Sequence, residues 1–251
     1  MGNRLERLVS IVKNPNGPYP GRQLFLGLTE SSSPCFAYLV TGRSLESRER
    51  RAVLVEDVMR IGPTGSQPYD PLRHYSAVKY DNNTGIVTVS NGIQTEAIIE
   101  TYRLIFNTGS LPGKDFLEKI LDGADAEPDS YRTPRIAGVI TAYGDKAGPV
   151  FIIGIKGYGL PAGALQIEPA PGTVTGISTY KGDMDKPEAR DPAAALPELK
   201  FRGRTAEELA GLVFDMSSAS YKGNDIRVCA IGGVLSTNRK WELAIKNVHK
   251  V

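Results

Sequence analysis

Four short stretches of the chain place an arginine or a side-chain amide beside glycine or proline: Tyr19 to Arg22 (YPGR), Gly42 to Arg48 (GRSLESR), Val89 to Gly92 (VSNG) and Thr133 to Ile136 (TPRI). Glycine and proline turn the backbone sharply and let a ligand come close to it. The fixed fork of donors on arginine suits a planar, multiply hydrogen-bonding anion such as a phosphate. Together these stretches point to a phosphorylated small molecule bound at strand ends and loops. Taken singly, Arg22, Arg43, Arg48 and Arg135 could equally make surface or sheet-edge ion pairs. Tyr75 could be a half-buried sheet residue, Asn91 a hairpin end or helix cap, and Glu127 a solvated loop carboxylate.

The elements that must position these residues are legible as patterns. Leu5, Leu8, Val9 and Val12 recur at helical spacing, so residues 3–13 read as a short amphipathic helix, ended by the segment NPNGPYPG. Strands are expected at RQLFLGL, CFAYLVTG and RAVLVEDV. HYSAVKYD and GIVTVSNG read as a hairpin closed by Asp81 to Gly85, where DNNTG supplies the turn chemistry. A helical stripe spans Thr95 to Phe106, and a second helix is expected from Lys114 to Leu121. Four more strands follow at RIAGVITA, PVFIIGI, ALQIEP and TVTGISTY. Residues 181–200, rich in Pro, Ala and charge, read as a long surface loop. TAEELAGLVFDMSSAS reads as a helix opened by Thr205, with Glu208 three residues on. VCAIGGVL and KWELAIK form a last hairpin. Helices and strands are segregated, which predicts an α+β fold of largely antiparallel sheets covered by helices, in a single domain over residues 1–251.

Several function classes fall away on composition and spacing. The 251 residues carry 30 Lys and Arg against 28 Asp and Glu, a net charge of +2 that gives no electrostatic footprint for nucleic acid. The basic run Arg48 to Arg51 (RERR) reads as a solvated strand edge. No stretch is long and apolar enough to span a membrane, so no membrane partner is expected. Cys35 and Cys229 lie in apolar stretches and fit no metal spacing; they read as buried, reduced thiols, in keeping with a cytoplasmic location. His74 and His249 have no third partner at zinc-like spacing, so no metal site is expected. KGYGLPAG lacks the ending of a phosphate-binding P-loop and reads as a hairpin turn. No serine-nucleophile elbow or cysteine–histidine signature is present.

In their order and separation, YPGR, AYLVTGRSLESR, DPLRHYSAVKY with VSNG, TPRI and ISTY together resemble the archaeal-type IMP cyclohydrolase family over roughly Tyr19 to Tyr180. The resemblance implies a four-layer αββα sandwich similar to the N-terminal nucleophile hydrolases. It implies closure of 5-formamidoimidazole-4-carboxamide ribonucleotide to inosine monophosphate (IMP) with loss of water, without metal or organic cofactor, by a homo-oligomer. The family's functional residues fall on Arg48, Tyr75 and Glu127. Glu127 would take a proton while Tyr75 and Arg48 polarise the formyl oxygen. Arg22, Arg43 and Arg135 would hold phosphate or line the pocket, with Lys79 and Asn91 as further binding residues. The chain departs from the family's pattern in an extension over residues 1–18 and an insertion at 181–200. Tyr19 and Pro20 stand where an N-terminal nucleophile enzyme would need a freed Thr, Ser or Cys. An amidohydrolase on a related ribonucleotide and a non-catalytic ribonucleotide-binding protein remain alternatives.

Overall fold

A computed structural model describes residues 19–66, 68–110, 112–142 and 148–249; the helix expected at 3–13 lies outside them. In chain order the first elements are β1 (Arg22–Leu28), β2 (Pro34–Thr41), the short helix α1 (Leu45–Arg48), β3 (Arg50–Val55), β4 (Val58–Pro63), β5 (Tyr75–Asp81) and β6 (Ile86–Ser90). Next come α2 (Gln94–Asn107), α3 (Lys114–Ala124), β7 (Arg135–Thr141), β8 (Val150–Lys156), β9 (Gly163–Ile167) and β10 (Thr173–Ser178). After the short strands β11 (Tyr180–Lys181), β12 (Glu188–Ala189) and β13 (Glu198–Lys200), the chain forms α4 (Ala206–Met216), β14 (Ser220–Tyr221), β15 (Asn224–Asp225), β16 (Arg227–Leu235) and β17 (Trp241–Asn247).

The long strands make two antiparallel sheets. The first has the order β13-β10-β1-β2-β16-β17, and the second runs β3 to β9 with every neighbour consecutive in the chain. Most central strands are apolar on both faces because both faces are covered. On β2, Phe36, Tyr38 and Val40 pack between the sheets, while Cys35, Ala37 and Leu39 lie beneath α4. On β7, Ile136 and Ile140 face the other sheet, whereas Ala137 and Val139 pack with Ile98, Tyr102 and Leu117 of α2 and α3. This period of two stacks the molecule as helix, sheet, sheet and helix pair. The α+β expectation with antiparallel sheets holds. Among the described residues no helix is long and apolar enough to cross a membrane.

Local chemistry explains several boundaries. Thr205 and Glu208 form a reciprocal capping box at the start of α4, with the Glu208 N–H donating to Thr205 Oγ1 at 3.2 Å. KGYGLPAG joins β8 to its antiparallel partner β9, as expected of a hairpin turn. The stretch RAVLVEDV is not one strand: it turns at Glu56 (φ +56°) and passes into β4. Residues 181–200 are more ordered than a bare loop, since β11 pairs with β12 and β13 adds an edge to the first sheet. Cys35 and Cys229 are free and buried, and burial pushes the Cys229 thiol up to about 12. Where the two sheets meet, Asn247 of β17 reaches the edge of β3. Its Oδ1 accepts from the Ala52 N–H at 2.8 Å and its Nδ2 donates to the Ala52 carbonyl at 2.9 Å.

Candidate active site

Arg22 is the first residue of β1 and follows a glycine that a side chain could replace only with strain and movement of its neighbours. Gly21 has φ +69°, and a Cβ there would sit 2.4 Å from Thr179 Oγ1 and 2.6 Å from the Tyr180 ring. The Arg22 Nη2 donates to both oxygens of Glu127, at 2.9 and 2.8 Å, and to the Leu72 carbonyl at 3.0 Å. Glu127 comes from the loop between α3 and β7, where its N–H donates to the Thr133 carbonyl at 2.8 Å. Arg135, opening β7, donates from Nη1 to Glu127 Oε1 at 3.2 Å.

Asn91 completes the group from the end of β6. Its Nδ2 donates to Glu127 Oε1 at 3.2 Å and to the Pro134 carbonyl at 2.9 Å, while its Oδ1 accepts the Ile136 N–H at 2.8 Å. The side-chain amide thus extends the β6–β7 ladder by one peptide-like step. A Cβ on Gly92 would lie 2.1 Å from Arg135 Nη1, so the glycine in VSNG makes room for that guanidinium.

The group is deeply buried: Glu127 is 2% exposed, Arg135 3% and Asn91 0%. Two guanidiniums around one carboxylate leave a net positive charge out of water, an arrangement that is costly unless each group is well bonded. Burial pushes the Glu127 carboxyl up from its ordinary range, opposed by Arg22 and Arg135, with a net upward direction. Between the sheets, Tyr75 of β5 meets Tyr38 of β2 with their hydroxyl oxygens 2.8 Å apart. The Arg22 guanidinium carbon lies 6.0 Å from the centre of the Tyr75 ring. Burial, then the neighbouring Tyr75, pushes the Tyr38 phenol well above its ordinary value.

Arg22 and Glu127 open onto a cavity of about 670 Å³, whose wall also includes Arg43, Arg50, Arg73 and Tyr180. That volume suits a small-molecule ligand. Arg43 lies between the rings of Tyr19 and Tyr131, its guanidinium carbon 4.9 Å from each centre, and bonds the Met184 carbonyl. Arg50 is 3% exposed and donates to the carbonyls of Ser47 (2.7 Å) and Arg73 (3.3 Å). Among the described residues no carboxylate lies within salt-bridge distance of Arg50. A buried guanidinium without a counter-ion on a cavity wall is a site for an anion to fill. Burial also pushes the Tyr180 phenol above its ordinary range.

The sequence expectations therefore divide. Arg22, Asn91, Glu127 and Arg135 converge on one another with Tyr75 alongside, and Arg43 is on the cavity wall. Glu127 is not a solvated loop carboxylate. Arg22 and Arg135 are committed to it, which leaves Arg43, Arg50 and Arg73 as the cavity's other guanidiniums. Arg48 is not among the residues lining the cavity; its Nη1 donates to the carbonyl of Arg43, which is. Lys79 is elsewhere: it faces α2 and pairs with Glu96 at 2.7 Å and Glu100 at 3.3 Å. RERR is not a uniformly solvated edge, because Arg50 shares the buried phase of β3 with Ala52. That alternation was the signal by which Arg50 could have been found.

The family described as IMP cyclohydrolase-like protein matches residues 19–239. The IMP cyclohydrolase of Methanococcus aeolicus is 35% identical over 130 residues, covering 50% of this chain and 61% of that protein. The chain spans 58% of the relative of the same name from Methanococcus maripaludis strain S2, at 34% identity. The IMP cyclohydrolase of Thermococcus kodakarensis is 28% identical over 226 residues, covering 90% of this chain and 96% of its own length.

Proposed function

The chain belongs to the IMP cyclohydrolase-like family, and we propose that it closes 5-formamidoimidazole-4-carboxamide ribonucleotide to IMP with loss of water. One observation carries this: a buried carboxylate of raised affinity for protons, Glu127, opens on a cavity that also holds Arg50, which no carboxylate among the described residues balances. The relatives named above, all called IMP cyclohydrolase, support the same reaction. The helix, sheet, sheet and helix-pair layering supports kinship with the N-terminal nucleophile hydrolase fold, used here without that nucleophile. The chain would work in the cytoplasm as a homo-oligomer, with the ribonucleotide as its partner.

In the reaction the carboxamide nitrogen attacks the formyl carbon, forming the N–C bond of the new ring. Glu127 takes one hydrogen of that nitrogen, which an amide gives up reluctantly, so a carboxylate pushed upward is a better match than an ordinary one. The formyl oxygen gains charge as its C=O bond opens, beside the positive charge of Arg22 and the hydroxyl of Tyr75. A well-placed donor to such an oxygen contributes about 3 kcal/mol. The oxygen then leaves as water, carrying the hydrogen lost by the carboxamide and a second one lost by the formamido nitrogen, and a C=N bond closes the ring. Arg43, Arg50 and Arg73 take the phosphate. Arg48 acts through the Arg43 carbonyl, so its part is to position that loop. Holding the substrate folded supplies much of the rate.

The direct test is conversion of the formamido ribonucleotide to IMP by the purified chain, followed by absorbance, beside the Tyr75→Phe variant. Conversion that drops sharply in the variant is the expected result. Release of formate or ammonia without IMP would transfer the site to an amidohydrolase, and binding without conversion would leave a ribonucleotide-binding protein.

A further inference from the structure

The loop that carries Glu127 also fixes the direction of a second hydrogen-bonded chain. Asp129 receives the Thr133 N–H at Oδ1 (2.8 Å) and the Thr133 hydroxyl at Oδ2 (2.5 Å). A carboxylate only accepts, so the single hydroxyl proton of Thr133 is committed to Asp129. The Tyr180 hydroxyl is bonded to that same Thr133 oxygen. Thr133 has no proton left to give, so Tyr180 must be the donor. Asp129 and Tyr180 line the cavity, and Thr133 is wholly buried. The Tyr180 ring is held by stacking on Tyr19, with centres 5.8 Å apart, and by its close contact with Gly21. A ligand reaching this hydroxyl therefore meets only oxygen lone pairs.

The guanidiniums on the same wall are of the opposite kind. Arg22, Arg43 and Arg50 can only donate, and Glu127 Oε1 is already shared by Arg22, Arg135 and Asn91, while Oε2 receives Arg22 and keeps a lone pair for the proton transfer proposed above. We propose that Tyr180 is a specificity residue that accepts a hydrogen bond from a donor on the bound ribonucleotide, with Thr133 and Asp129 as positioning residues that hold its proton away. The donor is a ring N–H or a ribose hydroxyl. This rests on the ribonucleotide assignment made above.

Calorimetric titration of the full chain tests it with three ligands: IMP, purine riboside 5′-monophosphate (no ring N–H) and 2′-deoxy-IMP. Tyr180→Phe should weaken IMP binding about tenfold, the usual worth of one hydrogen bond. Thr133→Val should weaken it as well, since the freed Tyr180 proton can then face the ligand, and Thr133→Ser should recover most of the loss. In a Tyr180→Phe background, Thr133→Val should add nothing. The ligand lacking the contacted donor is the one whose affinity Tyr180→Phe leaves unmoved; a loss with all three assigns the donor to the 3′-hydroxyl. Unchanged affinity of Tyr180→Phe for all three ligands would overturn the proposal, as would Thr133→Ser binding as weakly as Thr133→Val. Should Thr133→Val not fold, Tyr180→Phe and Thr133→Ser decide alone. A folded wild-type chain that binds none of the three removes the ribonucleotide assignment together with this one, whereas wild-type binding indifferent to Tyr180→Phe removes only this one.

Discussion

Lys79 and Arg22 are both cations of types suited to binding a phosphate, and both end in ion clusters, but the clusters differ in kind. Lys79 meets Glu96 and Glu100 on the outer face of the second sheet, where those carboxylates are 46% and 55% exposed. Arg22 and Arg135 meet Glu127, whose side chain is 1% exposed, from opposite sides of the sandwich. Outside, water and salt compete for every charge, and the pair contributes little. Inside, each hydrogen bond is hard to replace and the carboxyl's proton affinity is set by its neighbours. Residue type alone does not make an ion pair useful for chemistry; removal from water does.

The sharpest way to break this contrast is Glu127→Gln. IMP formation should fall by about 10²–10⁴-fold, the usual span for loss of a general base, and a steady-state assay with near-wild-type turnover would end the proton-transfer role. Next is Arg50→Met. Losing a buried cation that no carboxylate among the described residues balances should weaken IMP affinity about 10- to 100-fold, while the melting temperature without ligand holds or rises. A clear drop in melting temperature with affinity intact would make Arg50 a structural residue instead.

A smaller effect concerns pH. Burial pushes the Glu127 carboxyl above its ordinary 4.5, against Arg22 and Arg135 and with a further upward push from Asp129. A base must be ionised, so kcat should be full above the raised value and fall as pH drops through it. The acid limb should thus lie above pH 4.5, and a limb at or below that value would contradict the direction. The smallest effect belongs to the outer cluster: Lys79→Ala should leave turnover unchanged and cost less than about 1 kcal/mol of stability, a cost that vanishes at high salt. Impaired IMP binding in that variant would return Lys79 to the site.

The fold was readable where its causes are local. The DNNTG turn between β5 and β6, the Thr205–Glu208 cap and the stripes of α2 and α3 each depend on residues a few positions apart. The candidate site was half readable. Its residues stood out in turns, but Arg22 and Glu127 are 105 positions apart, and nothing in their neighbourhoods tells which strand ends converge. The resemblance singled out Glu127 and Tyr75, whereas Arg50 was hidden in a run of charge that looked solvated. α1, four residues long, leaves too little periodicity to see. The register of β13 against β10 likewise depends on tertiary packing of the 181–200 segment, which has weak propensities of its own.

Asn247 has a consequence for how the protein behaves in a crowd. β3 ends its sheet, and an unpaired strand edge invites a strand from another molecule. By offering Ala52 both an acceptor and a donor, the Asn247 amide occupies the spot where a foreign peptide group would dock first. One side chain thus serves as a stopper against edge-to-edge aggregation while holding the rims of the two sheets together.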